Sequence, residues 1–140
     1  MTYAHLHRLL NASLVLALVA AAAEAHAARF DESDIRGDYA FTFDGSAGAV
    51  PIAAVGRFFA DGKGNMLGGR RTLVAGGAVF EQTFHCTYVV QADGRGTADC
   101  PVDGATPESF SLILVKDGQD AYFVGTTAGT TVHGTAVRQR

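Results

Sequence analysis

From position 37 onward, apolar and polar residues alternate in short segments broken by glycine. No stretch carries the three-to-four-residue apolar spacing of an amphipathic helix. Tyr39, Phe41 and Phe43 alternate with Ala40 and Thr42, so one face of that segment is aromatic. Asp44-Gly45 opens a Gly- and Ala-rich connection that reaches Val50. Strands are predicted over 52–60 and 66–74, ended by Asp61-Gly-Lys-Gly-Asn65 and by Gly76-Gly77. The longest, 79–90, puts Phe80, Phe84, Cys86, Tyr88 and Val90 on one face. Glu81, Thr83, His85 and Thr87 fall on the other. Four more segments, 96–101, 109–116, 121–127 and 130–138, are separated by Asp103-Gly104, Asp117-Gly118 and Ala128-Gly129.

Eight strands with short connections place sequence neighbours side by side. Such a sheet leaves two bare edges unless it closes, so the pattern predicts an all-β, antiparallel up-and-down barrel. A two-sheet sandwich is the competing arrangement, but it prefers longer crossing connections. Residues 28–36 read as a loose polar lead-in, and 37–140 as one barrel domain.

The first 27 residues read as a secretory signal peptide, with cleavage after Ala27. Arg8 precedes an apolar run from Ala12 to Ala23, shorter than the roughly 20 residues a membrane helix needs. Ala25-His26-Ala27 then offers small residues to a peptidase. The destination is the periplasm or the exterior, with no membrane span left in the mature chain. With 14 acidic and 11 basic side chains the net charge is −3, which lacks the basic footprint of a nucleic-acid binder. Apolar content of 48% against 18% charged excludes bulk disorder.

Two cysteines in an exported chain predict one disulfide. The register argues for it. Ala92-Asp93-Gly94 fits a three-residue hairpin loop with Gly94 in the left-handed position. Gln91 then faces Arg95, and counting outward along both strands brings Cys86 opposite Cys100. A two-residue Asp-Gly turn would put them on opposite faces.

The segments Gly37-Asp-Tyr-Ala-Phe-Thr-Phe43, Val55-Gly-Arg-Phe-Phe-Ala-Asp-Gly-Lys-Gly-Asn65, Ser111-Leu-Ile-Leu-Val-Lys-Asp-Gly118 and Val132-His-Gly-Thr-Ala136 resemble a family of small exported bacterial proteins. The resemblance implies a calycin-like, lipocalin-like barrel similar to that of allene oxide cyclase. Its motifs are turns and strand starts, so it implies a fold and no catalytic residue.

Chemistry-bearing residues are sparse. Asp61-Gly-Lys-Gly-Asn65 lacks the Ser or Thr and the following helix of a phosphate loop, and reads as a hairpin turn. His85 and His133 are too few to hold zinc, so no metal site and no cofactor are expected. No Gly-x-Ser-x-Gly elbow is present, and Ser109 and Ser111 have no visible base, so no catalytic residue is assigned. Asp44, Asp61, Asp93, Asp103 and Asp117 sit at turns, where carboxylates cap backbone. Arg57 is the one charge within an apolar strand. It either meets an acidic ligand inside the barrel or points outward, and burial without a partner is costly.

Candidate ligand-binding residues are Arg57, Phe58, Phe84, Tyr88 and Phe110, with Tyr39, Phe41, Phe43 and Phe123 as further lining. The same rings suffice to fill the core. The function predicted is an exported barrel that binds a small apolar or amphipathic ligand. The alternatives are a cyclase-like enzyme using the interior, and an interaction or inhibitor protein working through Asp44–Val50.

Overall fold

The computed structural model describes residues 29–140, so the predicted leader and its cleavage point lie outside the described residues. Eight strands follow one another: β1 (Arg36–Ala47), β2 (Val50–Asp61), β3 (Asn65–Ala75), β4 (Ala78–Val90), β5 (Arg95–Cys100), β6 (Glu108–Val115), β7 (Asp120–Gly125) and β8 (Thr130–Arg138). Each pairs antiparallel with its sequence neighbour, and β1 pairs with β8 from Tyr39↔Arg138 to Ala47↔Thr130, which closes the barrel. The predicted up-and-down barrel is therefore the fold, and the sandwich is excluded. No helix among the described residues is long and apolar enough to cross a membrane.

The interior follows the period of two. Tyr39, Phe41 and Phe43 point inward from β1, Ala54, Phe58 and Ala60 from β2, and Cys86, Tyr88 and Val90 from β4. Eight strands leave room for little more than side chains. The space is shared by opposing large rings to glycine. Phe41 faces Gly56, Phe84 faces Gly69, Phe110 faces Gly125, and Phe43 and Phe123 both face Gly134. A Cβ at Gly69 would lie 2.5 Å from the Phe84 ring, and one at Gly134 2.6 Å from the Phe123 ring. Tyr39 and Phe58 instead stack on one another, 5.3 Å apart.

Strand β3 carries one extra residue. Its register slips against β2 between Arg57 and Phe59, and against β4 between Met66 and Gly69. Gly68 occupies the bulge at φ +60, a conformation that costs glycine nothing. The bulge reverses the alternation along β3. Met66 is inside, Leu67 outside, and beyond the bulge Gly69 and Arg71 are inside while Arg70 is outside.

Two expectations are corrected. The Gly- and Ala-rich stretch after Asp44 is strand up to Ala47, hydrogen-bonded to both β2 and β8, and only Gly48 and Ala49 remain as turn. Regular pairing on both sides overrides its weak strand propensity. The lead-in is not loose either. Glu32–Asp34 forms a 3-10 turn closed by a capping box between Asp31 and Asp34. Ile35 beneath it is 3% exposed, and Phe30 packs against the core. The Tyr88 hydroxyl donates to the Ile35 carbonyl at 2.8 Å and lies 3.0 Å from that of Glu32. The Glu32 carboxylate accepts from the Val90 N–H at 3.1 Å. The Tyr39 hydroxyl donates to the Gly118 carbonyl at 2.6 Å. These bonds plug the end of the barrel where β4–β5 and β6–β7 turn.

The β4–β5 hairpin has the predicted register, with Val90↔Gly96 and Thr87↔Asp99 paired and Gly94 at φ +85. Cys86 and Cys100 are joined as a disulfide with their Cα atoms 4.1 Å apart. At a sequence separation of 14, the closed loop should contribute roughly 3 kcal/mol. Replacing both cysteines with serine should lower the unfolding free energy by about that amount in denaturant titration. The unfolded, unreduced protein should show no free thiols, and two per chain would refute the pairing.

Burial pushes the Tyr88 phenol up to about 12 from its ordinary 10.0, and burial also raises Tyr39. The unfolded chain then loses its proton before the folded one, so stability present below pH 10 is lost as pH rises toward 12. Urea midpoints measured across that window should fall, and Tyr88→Phe should flatten the fall. An unchanged slope in Tyr88→Phe would assign the effect elsewhere.

Candidate functional site

The interior holds a cavity of about 80 Å³, lined from Ile35, Tyr39 and Gly118 at the plugged end to Glu108 and Phe110 at the other. Phe41, Phe43, Phe58, Phe84, Phe110 and Phe123 line much of it. Phe110 meets Phe123 edge-on at 5.5 Å, and Phe84 meets Phe41 likewise at 5.7 Å. Phe84, Phe110 and Phe123 are only partly buried, whereas Phe41, Phe43 and Phe58 are buried. The half-buried rings mark the open end, where the β5–β6 and β7–β8 connections lie.

One polar construction lies among these rings. Arg71 on β3 is 5% exposed, and its guanidinium reaches across the lumen to Glu108 at the start of β6. Nη1 donates to Oε2 at 2.7 Å and Nη2 to Oε1 at 2.8 Å, an end-on bidentate pair. Nε donates to Oε1 of Gln82, the residue opposite Arg71 on β4, at 2.8 Å. The Phe43 ring lies 5.6 Å from Cζ, in cation–π range. The Glu108 side chain is 27% exposed, so the pair forms a bar with its carboxylate end at the mouth. Three of the five guanidinium N–H groups are thereby used; the remaining two, one on each terminal nitrogen, find no acceptor among the described residues.

Of the sequence candidates, Phe58, Phe84 and Phe110 line the cavity, as do Tyr39, Phe41, Phe43 and Phe123. Arg57 does not. It is exposed on the outer face of β2, paired in register with Arg70, so its assignment to a ligand inside the barrel is corrected. An isolated charge on the even spacing of Phe58 and Ala60 would have been inside, but Arg57 has the opposite parity. Tyr88 is buried but does not line the cavity, and its hydroxyl is bonded to the N-terminal plug. Arg71 and Glu108 were not legible as a site. Parity along β3 is reversed by the Gly68 bulge, and Glu108 follows a connection rather than a strand pattern.

The remaining candidates lie elsewhere. His85 on β4 and His133 on β8 are exposed, four strands apart in an eight-strand ring, and so on opposite sides of the barrel. His133 Nε2 is 3.8 Å from Oδ1 of Asp44 on the outer surface. The Asp61 carboxylate accepts from the Asn65 side chain at 2.7 Å and from the backbone N–H groups of Lys63 and Asn65. These bonds, the Asn65 side chain foremost, hold it below the usual carboxylate range and close the Gly-rich turn as a hairpin.

No family model matches the chain, and no curated protein matches it in sequence. The barrel is similar to solved structures of engineered proteins. One is described as a redesigned beta barrel, mFAP1, bound to DFHBI, at 12% identity and TM-score 0.58, covering 76% of this chain and 97% of that one. Another is a de novo designed fluorescence-activating beta barrel, also at 12% identity and TM-score 0.58, covering 77% of this chain and 96% of that one. At that identity the likeness is one of fold.

The two ends of the Arg71–Glu108 bar should respond unequally to truncation. Glu108→Ala leaves a guanidinium buried without its counterion, which should cost about 3 kcal/mol. Arg71→Met leaves a carboxylate that can turn into water, and should cost less. Equal losses in chemical denaturation would show that the pair is solvated rather than buried.

Proposed function

We propose that the chain is an exported barrel that holds a small apolar or amphipathic ligand in its interior. The observation that carries this is the cavity itself, lined by phenylalanine, whose wall is apolar and suits an apolar body. The volume limits the ligand. About 80 Å³ is roughly half of an engineered cavity of about 150 Å³ that accepts benzene. A ring-sized ligand therefore needs Phe84, Phe110 and Phe123 to turn outward, and these are the partly buried rings of the lining.

A binding role is favoured over a cyclase-like enzyme because Arg57 and His85 face solvent, and the charged pair inside, Arg71 and Glu108, is spent on itself. A contact role through Asp44–Val50 loses its flexible loop, since most of that segment is paired strand. The Cys86–Cys100 disulfide supports an oxidising destination, periplasmic or extracellular. The predicted leader and the resemblance to small exported calycin-like proteins support the same placement.

Mass spectrometry of small molecules released from the protein purified from its native host should find a stoichiometric apolar or amphipathic compound. The emptied protein should take up an environment-sensitive apolar dye that the released compound displaces. Neither a bound compound nor dye uptake by the folded wild type would mean that the rings simply fill the barrel.

A further inference from the structure

The ring of strands is closed, but β4 outreaches its neighbour at the open end. It begins at Ala78, whereas β5 pairs with it only from Thr87 to Val90, with one further bridge at Phe84↔Val102. Around that bridge the His85 N–H donates to the Pro101 carbonyl at 3.3 Å, and the Thr83 carbonyl accepts from the Asp103 N–H at 3.0 Å. The chain then turns away at Asp103-Gly104. From Ala78 to Gln82, β4 therefore has β3 on one side and, among the described residues, no strand on the other.

The hairpin decides which backbone groups this leaves over. Its two-residue turn at Gly76-Gly77 makes Ala75↔Ala78 the first hydrogen-bonded pair, so Ala78, Phe80 and Gln82 bond to β3. Val79 and Glu81 aim their N–H and C=O groups at the open side, as Thr83 and His85 do toward Asp103 and Pro101. Those groups of Val79 and Glu81 have no backbone partner there among the described residues. Natural sheets guard such an edge with charge, proline, a bulge or a covering segment. This one is poorly guarded. No residue from Thr72 to Phe80 is charged, and Val79 and Phe80 are 65% and 46% exposed. Glu81 accepts from the Thr72 hydroxyl at 2.8 Å, which turns its carboxylate toward β3 and away from the edge.

A second copy of the same edge fits it in one register. With a twofold axis at Phe80, Val79 of each copy faces Glu81 of the other, and the outward N–H and C=O groups of both residues are paired reciprocally. The two Phe80 rings then meet at a non-hydrogen-bonded site, where facing side chains are closest. An axis at Glu81 would set like charges opposite one another and bring Val79 of the second copy against Thr83, whose carbonyl Asp103 already holds. An axis at Val79 would require strand geometry of Gly77, which lies in the turn at φ +87.

We propose that the β4 edge from Ala78 to Gln82 is the contact of a twofold homodimer, in which β4 of each copy extends the sheet of the other. Because β4 runs from the open end toward the plugged end, antiparallel pairing sets the two barrels mouth toward mouth. Two short edges bury less than the roughly 1,200 Å² at which stable complexes begin, so the dimer belongs to the weak, reversible class.

Sedimentation equilibrium of the purified protein should show the mass rising from monomer toward dimer between roughly 10 μM and 1 mM. Glu81→Pro should abolish the rise and keep the fold, since it removes an outward N–H while β3 bonds to the residues on either side. Phe80→Cys reads the register. Facing cysteines at a non-hydrogen-bonded site have Cα atoms about 4.5 Å apart, so mild oxidation should give a covalent dimer. Glu81→Cys places its pair diagonally, about 7–8 Å apart, and should crosslink roughly tenfold more slowly. If Glu81→Pro does not fold, the cysteine variants decide alone. A wild type still monomeric at about 1 mM would overturn the proposal. So would a Glu81→Pro that dimerises like the wild type, or faster crosslinking through Glu81→Cys than through Phe80→Cys. Val79 and Glu81 amides protected from hydrogen exchange in the monomer would mean that another segment of the chain covers the edge, and would overturn it as well.

Discussion

The rest of the structure depends on how little space an eight-stranded barrel encloses. Its interior is just wide enough to be filled by side chains, yet this chain sends in a large complement of aromatic rings. They fit because so many are opposed by glycine. Phe41, Phe84, Phe110 and Phe123 each lie across from a residue with no side chain, and at Gly69 and Gly134 a single added carbon would collide with a ring. The same device serves two ends. It closes the packing around Phe41 and Phe43, and it lets Phe84 and Phe123 lie directly against the backbone of Gly69 and Gly134.

Polar groups are confined to the two ends of the lumen. At one end the hydroxyls of Tyr39 and Tyr88 satisfy backbone carbonyls of the turn at Gly118 and of the N-terminal segment, so that the plug costs no unpaired buried group. Among the described residues no buried side-chain nitrogen or oxygen lacks a partner. At the other end the Arg71–Glu108 bar supplies charge without net charge. A buried ion pair is a poor way to gain stability, since apolar residues of the same volume often do as well.

The disulfide and the bar act on the same wall. Cys100 is opposite Glu108 in the β5–β6 register, and Cys86 is opposite Met66 just before the bulge in β3. Covalent closure between β4 and β5 therefore anchors the strands beside both halves of the ion pair. That matters most here because β4 and β5 are paired over only a short register, from Thr87 to Val90, with one further bridge at Phe84↔Val102.

Much of the architecture was legible in the chain itself. Alternation fixed which face of 79–90 points inward. Short glycine turns dictated sequential pairing, and bare edges then required closure. The loop at Ala92-Asp93-Gly94 even settled the register that joins Cys86 to Cys100, because a hairpin's loop length and its register are one constraint. These are local properties, and local sequence suffices for them. What only the tertiary structure decided is which charges lie inside. Arg57, Arg70 and Arg71 are alike as residues, and a strict period of two running from Met66 would have sent Arg70 inward. The bulge at Gly68 adds one residue, reverses the alternation, and puts Arg71 in the lumen instead. Whether that arginine finds a carboxylate depends on β6, three strands away around the ring, and no spacing along the chain encodes a contact made across a barrel.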